Sequence, residues 1–201
     1  MDSSTLDGFK TKLKDNDTVS IIPIIHGGSS RRIQFSIMNS NVELFDITNG
    51  KKFNIKFLDE LRLKHPSLTL QSIDSRFVLG INHVKKILSV SLYAKKNHSL
   101  LSKKIETDIL LRFAITTQIS SAIEVVGQKP NKDFLIIAIG KKSTLSKIYS
   151  DLKPYLNGKP LSKKNQLYLK RQFGISNKQL SAVHSKNPLE DLLVEKATIL
   201  L

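Results

Sequence analysis

The sequence contains no cysteine, which excludes disulfide bonds and cysteine-ligated zinc sites. Acidic residues are scarce, with 17 Asp and Glu against 32 Lys and Arg, so the formal net charge is +15. No apolar run approaches the roughly 20 residues that a membrane-spanning helix needs. The first residues also lack the apolar segment of a secretory signal. We therefore expect a soluble, cytoplasmic protein with no membrane partner.

Patterns typical of enzymes are also missing. No two histidines have the His-x-x-x-His spacing of a metal site, and His-Gly-Gly at 26–28 has no Gly-x-Ser-x-Gly motif to accompany it. The stretch around Lys141 departs from a Walker A loop, because Leu135 stands at the first glycine position and a second lysine precedes Ser143. We predict no catalytic residue, metal, cofactor or small-molecule substrate. One bound phosphate near Lys141 and Lys142 stays an open alternative to a solvated turn.

The excess of positive charge predicts a polyanionic partner, most often a nucleic acid. Aromatic residues make up only 6% of the chain, which argues against a broad surface for stacking bases. A surface that follows phosphates fits better, and solvated helix faces are the alternative. The densest basic clusters in the central part of the chain contain Lys85, Lys86, Lys95, Lys96, Lys103 and Lys104.

Periodicity predicts the elements of the first half. Residues 32–38 and 41–47 alternate and read as a hairpin, and residues 68–73 read as another strand. A helix is predicted at about 54–65, stopped by the following proline. A second helix begins at Ile81, and its apolar arc is wider than contact with one sheet face requires. That helix is either enclosed in the core or shared with a partner.

The segment "ILLRFAITTQISSAIEVVG" occupies the centre of the chain. We predict that "TDILLRFA" (107–114) is a buried strand, followed by a helix that Thr116 or Thr117 caps. The apolar residues of this helix recur at i, i+3, i+4 and i+7 and should share one face. Gly127 is predicted to end the helix in a left-handed conformation. The members of that apolar stripe are Ile119, Ala122, Ile123 and Val126.

Residues 133–140, "DFLIIAIG", read as the next buried strand and complete a β-α-β crossover. Everything after Gly140 has helical periodicity with turn residues between the segments. We therefore predict an α/β fold: a mixed sheet flanked by helices, with a helical C-terminal part.

The C-terminal part contains a second candidate for nucleic-acid binding. Residues 169–183 resemble a helix-turn-helix, with Ser176 as the cap of the second helix. In that alternative, Asn177, Lys178 and Gln179 begin a recognition helix. Ordinary packing of two short helices explains the same pattern.

Three stretches together resemble one family. They are "DSRFVLGINHVKKILSVSLYAKKN", "ILLRFAITTQISSAIEVVG" and "LEDLLVEKATILL", in this order and spacing. They are similar to the small kinase-binding subunit of the KEOPS complex, the Cgi-type proteins related to the PRPK-binding protein. The resemblance covers residues 31–201 and leaves residues 1–30 as a flexible basic N-terminal extension. Ile115-Thr116-Thr117 stands where the family has Gly-Thr-Arg, so an arginine of the family is absent here.

The resemblance implies a non-catalytic subunit. Such a subunit binds the KEOPS protein kinase/ATPase and helps bind tRNA, including its 3′ CCA end, for threonylcarbamoyladenosine modification beside the anticodon. Five apolar residues are implied for the kinase face or the core beneath it: Ile87, Leu88, Ile119, Ile123 and Val126. Five basic residues are candidates for contact with RNA: Lys95, Lys96, Lys103, Lys104 and Arg112. A helix-turn-helix protein and an enzyme are the rival interpretations.

Overall fold

The computed structural model describes residues 32–48, 56–157, 161 and 165–200. The predicted N-terminal extension lies outside these residues. The described strands are β1 (Ile33–Ile37), β2 (Ser40–Ile47), β3 (Thr69–Asp74) and β4 (Phe134–Ile139). They form one sheet in the order β1-β2-β4-β3, and all neighbours pair antiparallel.

The predicted hairpin is confirmed as β1 and β2. Met38 and Asn39 form its two-residue loop, with φ angles of 48° and 65°. Positive φ at both loop residues is the geometry of a type I′ turn, whose twist matches that of the flanking strands. Asn39 adopts this conformation more readily than most residues, which explains why the chain reverses here.

Helices cover both faces of the sheet. In the described residues they are α1 (Phe57–Lys64), α2 (Ile81–Lys96), α3 (Ile105–Ala114), α4 (Ile119–Val126), α5 (Lys142–Leu152), α6 (Gln166–Gln172), α7 (Asn177–Ser181) and α8 (Pro188–Thr198). The predicted helices before Pro66, from Ile81 and after Gly140 are confirmed. Proline disfavours the α conformation in the residue before it, which accounts for the end of α1 at Lys64.

The β4 strand is buried along its whole length, as predicted for a central strand. Successive side chains of a strand point to opposite faces. Leu135 and Ile137 accordingly join the core formed with α2, α3, α4 and α8, whereas Phe134 and Ile136 join the core formed with α1 and α5. The fold is therefore an α/β/α arrangement with one apolar core on each side of the sheet, and the predicted α/β class is confirmed.

The predicted strand "TDILLRFA" was wrong, because these residues lie in α3. The helix is enclosed by β3, α2, α4 and α8, so nearly all of its side chains are buried. An element that is apolar on every side has no amphipathic period, and periodicity then cannot separate a strand from a helix. Ile115 ends α3 in a left-handed conformation with φ of 51°.

The predicted β-α-β crossover was also wrong. The chain leaves β3 and passes through α2, α3 and α4 before β4 returns antiparallel to both β2 and β3. No pair of adjacent strands in the described sheet is parallel.

Both predicted ends of α4 differ from the structure. Its N-cap is Gln118, and the Thr116 hydroxyl oxygen accepts from the Gln118 N–H, which lies before the helix. Gly127 has a φ of −64° and is not left-handed. A Cβ at Gly127 would lie 2.4 Å from the Ile123 carbonyl oxygen. The glycine is therefore required by close backbone approach.

Candidate interaction surfaces

The apolar stripe of α4 divides into a buried half and an exposed half. Ala122 and Val126 are completely buried, whereas Ile119 is 47% exposed and Ile123 is 56% exposed. The first pair packs into the core beside α3, and the second faces outward. We call Ile119 and Ile123 the α4 patch. Two neighbouring isoleucines at this exposure form an apolar surface patch that the described residues leave open to solvent.

The other three candidates for partner contact lie inside the protein. Ile87 and Leu88 on α2 are at most 1% exposed, and Val126 is fully buried. They belong to the core between the sheet and the surrounding helices. Of the two readings that the sequence left open, core or interface, the geometry assigns these three residues to the core and the α4 patch to the surface.

The α4 patch opens onto a groove of about 340 Å³. We call it the edge groove, because its floor is the outer edge of β3 at Gln71 and Ser72. One wall is α1 and the other is α3 with α4 and the residues after it. Its apolar lining consists of Leu58, Leu110, Ile119 and Ile123.

Four of the predicted RNA contacts come together at one corner of the molecule. Lys95 and Lys96 end α2, and Lys103 and Lys104 immediately precede α3. All four side chains are exposed, and none forms an ion pair within the described residues. We call these four lysines the basic corner. Tyr93 lies one turn before Lys96 and is 62% exposed, so an aromatic ring is available beside the charges.

Arg112 does not belong to this surface. Its side chain is buried, and its Nε donates to Asp108 Oδ2 at 2.8 Å while a second nitrogen donates to the Ala197 carbonyl at 2.8 Å. Asp108 in turn accepts from the Leu101 N–H at 2.8 Å. The prediction placed Arg112 on a strand where it could be exposed; in a buried helix the same residue ties α3 to α8.

Lys86, from another basic cluster, is neutralised within the fold. It pairs with Glu190 Oε1 at 2.7 Å and more closely with Asp191, both on α8. The same contacts lower the pKa of Asp191 and raise that of Lys86, because each charged form is stabilised by the other. Its neighbour Lys85 lies 5.0 Å from the centre of the Phe35 ring. This cluster therefore contributes less free charge than the basic corner.

His83, in the first turn of α2, is a core residue. It is 4% exposed, and its ring meets the Phe113 ring edge to face. Burial, with a smaller contribution from the charge of Lys86, lowers the pKa of His83 to about 4. The imidazole is therefore neutral at physiological pH, and Nδ1 accepts from the Leu79 N–H at 3.4 Å.

The helix-turn-helix candidate has the predicted cap but a short second helix. The Ser176 hydroxyl accepts from the Gln179 N–H, and the Gln179 side chain accepts from the Ser176 N–H. The α7 helix that follows has five residues, or about 7 Å at 1.5 Å per residue. Such a helix presents little more than one turn to a major groove, which favours a packing role.

Metal binding and membrane insertion are two further possibilities for the described part of the chain. No group of three or more His, Asp or Glu side chains there is arranged to hold a metal ion. No single helix there has the length and apolar composition to cross a membrane. The pair α3 and α4 meets those criteria only when taken together, with a bend of 67° between the two helices.

Comparison with known proteins identifies the family. No curated protein matches the chain significantly. The family model of the kinase binding protein CGI-121, however, matches residues 44–198, from β2 to the end of α8. This match spans most of the chain and includes the α4 patch, the basic corner and both apolar cores. The chain therefore belongs to the CGI-121 family of kinase-binding proteins.

Proposed function

We propose that this protein is a non-catalytic, cytoplasmic subunit of the KEOPS complex. It binds the protein kinase/ATPase of that complex through the α4 patch, and it presents the basic corner to tRNA, including the 3′ CCA end, for threonylcarbamoyladenosine modification. The exposure of Ile119 and Ile123, in a chain whose family is described as kinase binding, is the observation that carries the proposal.

The α4 patch has the properties of a binding hot spot. Burying one exposed isoleucine side chain completely contributes roughly 1.5–3 kcal/mol. Binding energy concentrates in a few such side chains that enter pockets and exclude water. Ile119 and Ile123 border the edge groove, so a partner side chain can fill the groove and cover both residues together.

The two surfaces are separated by one helix. The basic corner precedes the first residue of α3, and the α4 patch follows its last. Ten helical residues span about 15 Å. The lysines are therefore offset from the α4 patch by the length of α3, and we propose that one small subunit holds both partners at once.

Replacing Ile123 with aspartate should weaken kinase binding at least about 100-fold, because the carboxylate would have to lose its water in an apolar contact. Binding of the purified KEOPS kinase by titration calorimetry checks the result. Leu167→Asp on α6 is the matched control, because Leu167 is similarly exposed and lies outside the edge groove. A folded Ile123→Asp variant that binds the kinase at full strength would refute the α4 interface.

Replacing the four lysines of the basic corner with glutamine should weaken tRNA binding by about 10- to 100-fold. It should also lower the slope of log affinity against log salt, since fewer phosphate counterions are released. Lys132, Lys147, Lys153 and Lys186, all exposed and outside the basic corner, provide a control with the same loss of charge. Equal losses in both variants, at every salt concentration, would show that the attraction is spread over the surface and not located at the corner.

A further inference from the structure

The outer edge of β3 can be identified from one hydrogen bond. The Ser75 N–H donates to the Asp133 carbonyl at 3.0 Å, directly after the pairing of Asp74 with Phe134. In an antiparallel pair, residues alternate between those that bond to the neighbour and those that point away. The backbone groups of Gln71 and Ile73 therefore face β4, and those of Leu70 and Ser72 point away from β4, on the side where Ser72 lines the edge groove.

At this edge, side chains cover the carbonyl groups of Leu70 and Ser72 but not their N–H groups. Arg62 donates to the Leu70 carbonyl at 3.0 Å, and the Gln71 carboxamide donates to the Ser72 carbonyl at 2.9 Å. Among the described residues, neither the Leu70 N–H nor the Ser72 N–H donates to a protein acceptor. Backbone donors removed from water normally find a partner. The edge thus retains two N–H donors that can bond to the backbone carbonyl groups of an added extended chain.

The covering side chains can move aside. Arg62 is half-exposed, and its ion pair with Asp59 lies at the surface. Such exposed pairs contribute about 0–1 kcal/mol. The Gln71 carboxamide bonds to the carbonyl of the adjacent residue and can rotate to release it. Native proteins protect sheet edges with charged side chains in this way, and here the protection is weak enough for a ligand to displace it.

We infer that the kinase partner inserts an extended segment along the outer edge of β3, as a fifth strand, with an apolar side chain against the α4 patch. This inference rests on the proposed function and adds the mode of binding. The edge groove and the α4 patch are continuous, since Ile119 and Ile123 form the groove wall above Ser72. A helix would satisfy its own backbone groups and leave the two donors unpaired. An extended segment supplies the carbonyls, as in strand addition by peptide-binding domains.

Ser72→Pro tests the strand directly. Proline removes the outward N–H and leaves the inward bonds of Gln71 and Ile73 to β4, a position that edge strands tolerate. Kinase affinity should fall about tenfold. Ser72→Ala keeps the N–H and should lose much less affinity than Ser72→Pro. Unchanged affinity in Ser72→Pro, together with lost binding in Ile123→Asp, would overturn strand insertion while the α4 interface stands. Full binding by Ile123→Asp would instead remove the proposed function.

Amide exchange provides a test without substitutions, and it decides the matter if Ser72→Pro fails to fold. In the full-length protein, the Leu70 and Ser72 amides should exchange faster than those of Gln71 and Ile73. Adding the kinase should slow the Leu70 and Ser72 amides at least tenfold. No slowing would overturn the inference. Protection already present in the free protein would overturn it in favour of the chain's own N-terminal residues, and protection that grows with protein concentration would do so in favour of a second copy.

Discussion

Replacing Arg112 with alanine is expected to destabilise the fold by about 3–5 kcal/mol, the cost of leaving one member of a buried ion pair without its partner. Asp108 is completely buried and would lose the guanidinium with which it is paired. The Ala197 carbonyl, near the end of α8, would lose its donor as well. Chemical unfolding in urea, read by circular dichroism, measures this loss.

The double variant Asp108→Asn with Arg112→Met is the control. Asparagine keeps an acceptor for the Leu101 N–H, and methionine fills the space of the guanidinium without charge. Replacing both charges of a buried pair is often neutral, so the double variant should recover at least half of the lost stability. A single variant that loses less than about 1 kcal/mol would show that water reaches Asp108 once the arginine is gone.

The same double variant separates the structural role of Arg112 from a role in RNA binding. Because the Arg112 side chain is buried, its removal with Asp108 neutralised should leave tRNA affinity unchanged. The sequence offered Arg112 as a basic candidate for RNA contact on a predicted strand, where its side chain could be exposed. The correct signal was present: Asp108 and Arg112 are four residues apart in an otherwise apolar run, and this spacing pairs side chains on a helix.

The elements that were predicted correctly have a period and a clear boundary. The alternation of β1 and β2 is interrupted at Asn39, α1 stops ahead of Pro66, and α2 begins after Gly80. These signals lie within or next to the element itself, so the element can be identified from the sequence alone. The α3 helix lacks such a period, because neighbours on every side make most of its surface apolar. The wrong assignment of residues 107–114 as a strand also made the predicted topology wrong, since that strand required a crossover that the chain does not make.

The candidate site depends on contacts between distant parts of the chain. Four apolar residues of α4 share one stripe, so the sequence could not show that Ala122 and Val126 are covered while Ile119 and Ile123 are exposed. That division is set by where α3 lies. The edge groove was likewise not predictable, because no local pattern in residues 69–74 shows that β3 is the outermost strand. The exposure of the four lysines in the basic corner was predictable, since charged side chains rarely lie buried.

His83 should lower the stability of the protein as the pH falls from about 6.5 to about 4, because its pKa is near 4 in the folded state and about 6.5 when unfolded. The unfolded chain then takes up the proton first, so the contribution of neutral His83 is complete above pH 6.5 and is lost on acidification. A shift of this size corresponds to about 3 kcal/mol. Protonation would also place a hydrogen on Nδ1, which now accepts from the Leu79 N–H.

Asp46 has the opposite effect on stability as the pH falls. Replacing each residue in turn therefore distinguishes the two contributions. Burial raises the pKa of Asp46 to about 6, with the Ser75 hydroxyl acting in the opposite direction. Between pH 6 and about 4 the folded state therefore binds this proton more tightly than the unfolded state, and stability rises as the pH falls. Because the two pKa shifts are similar in size and act on stability in opposite directions, their effects largely cancel in the natural protein. Relative to the natural protein, unfolding free energies measured from pH 7.5 to 4 should therefore decline in Asp46→Asn and rise in His83→Asn. Parallel curves for all three proteins would show that neither group is linked to folding in this way.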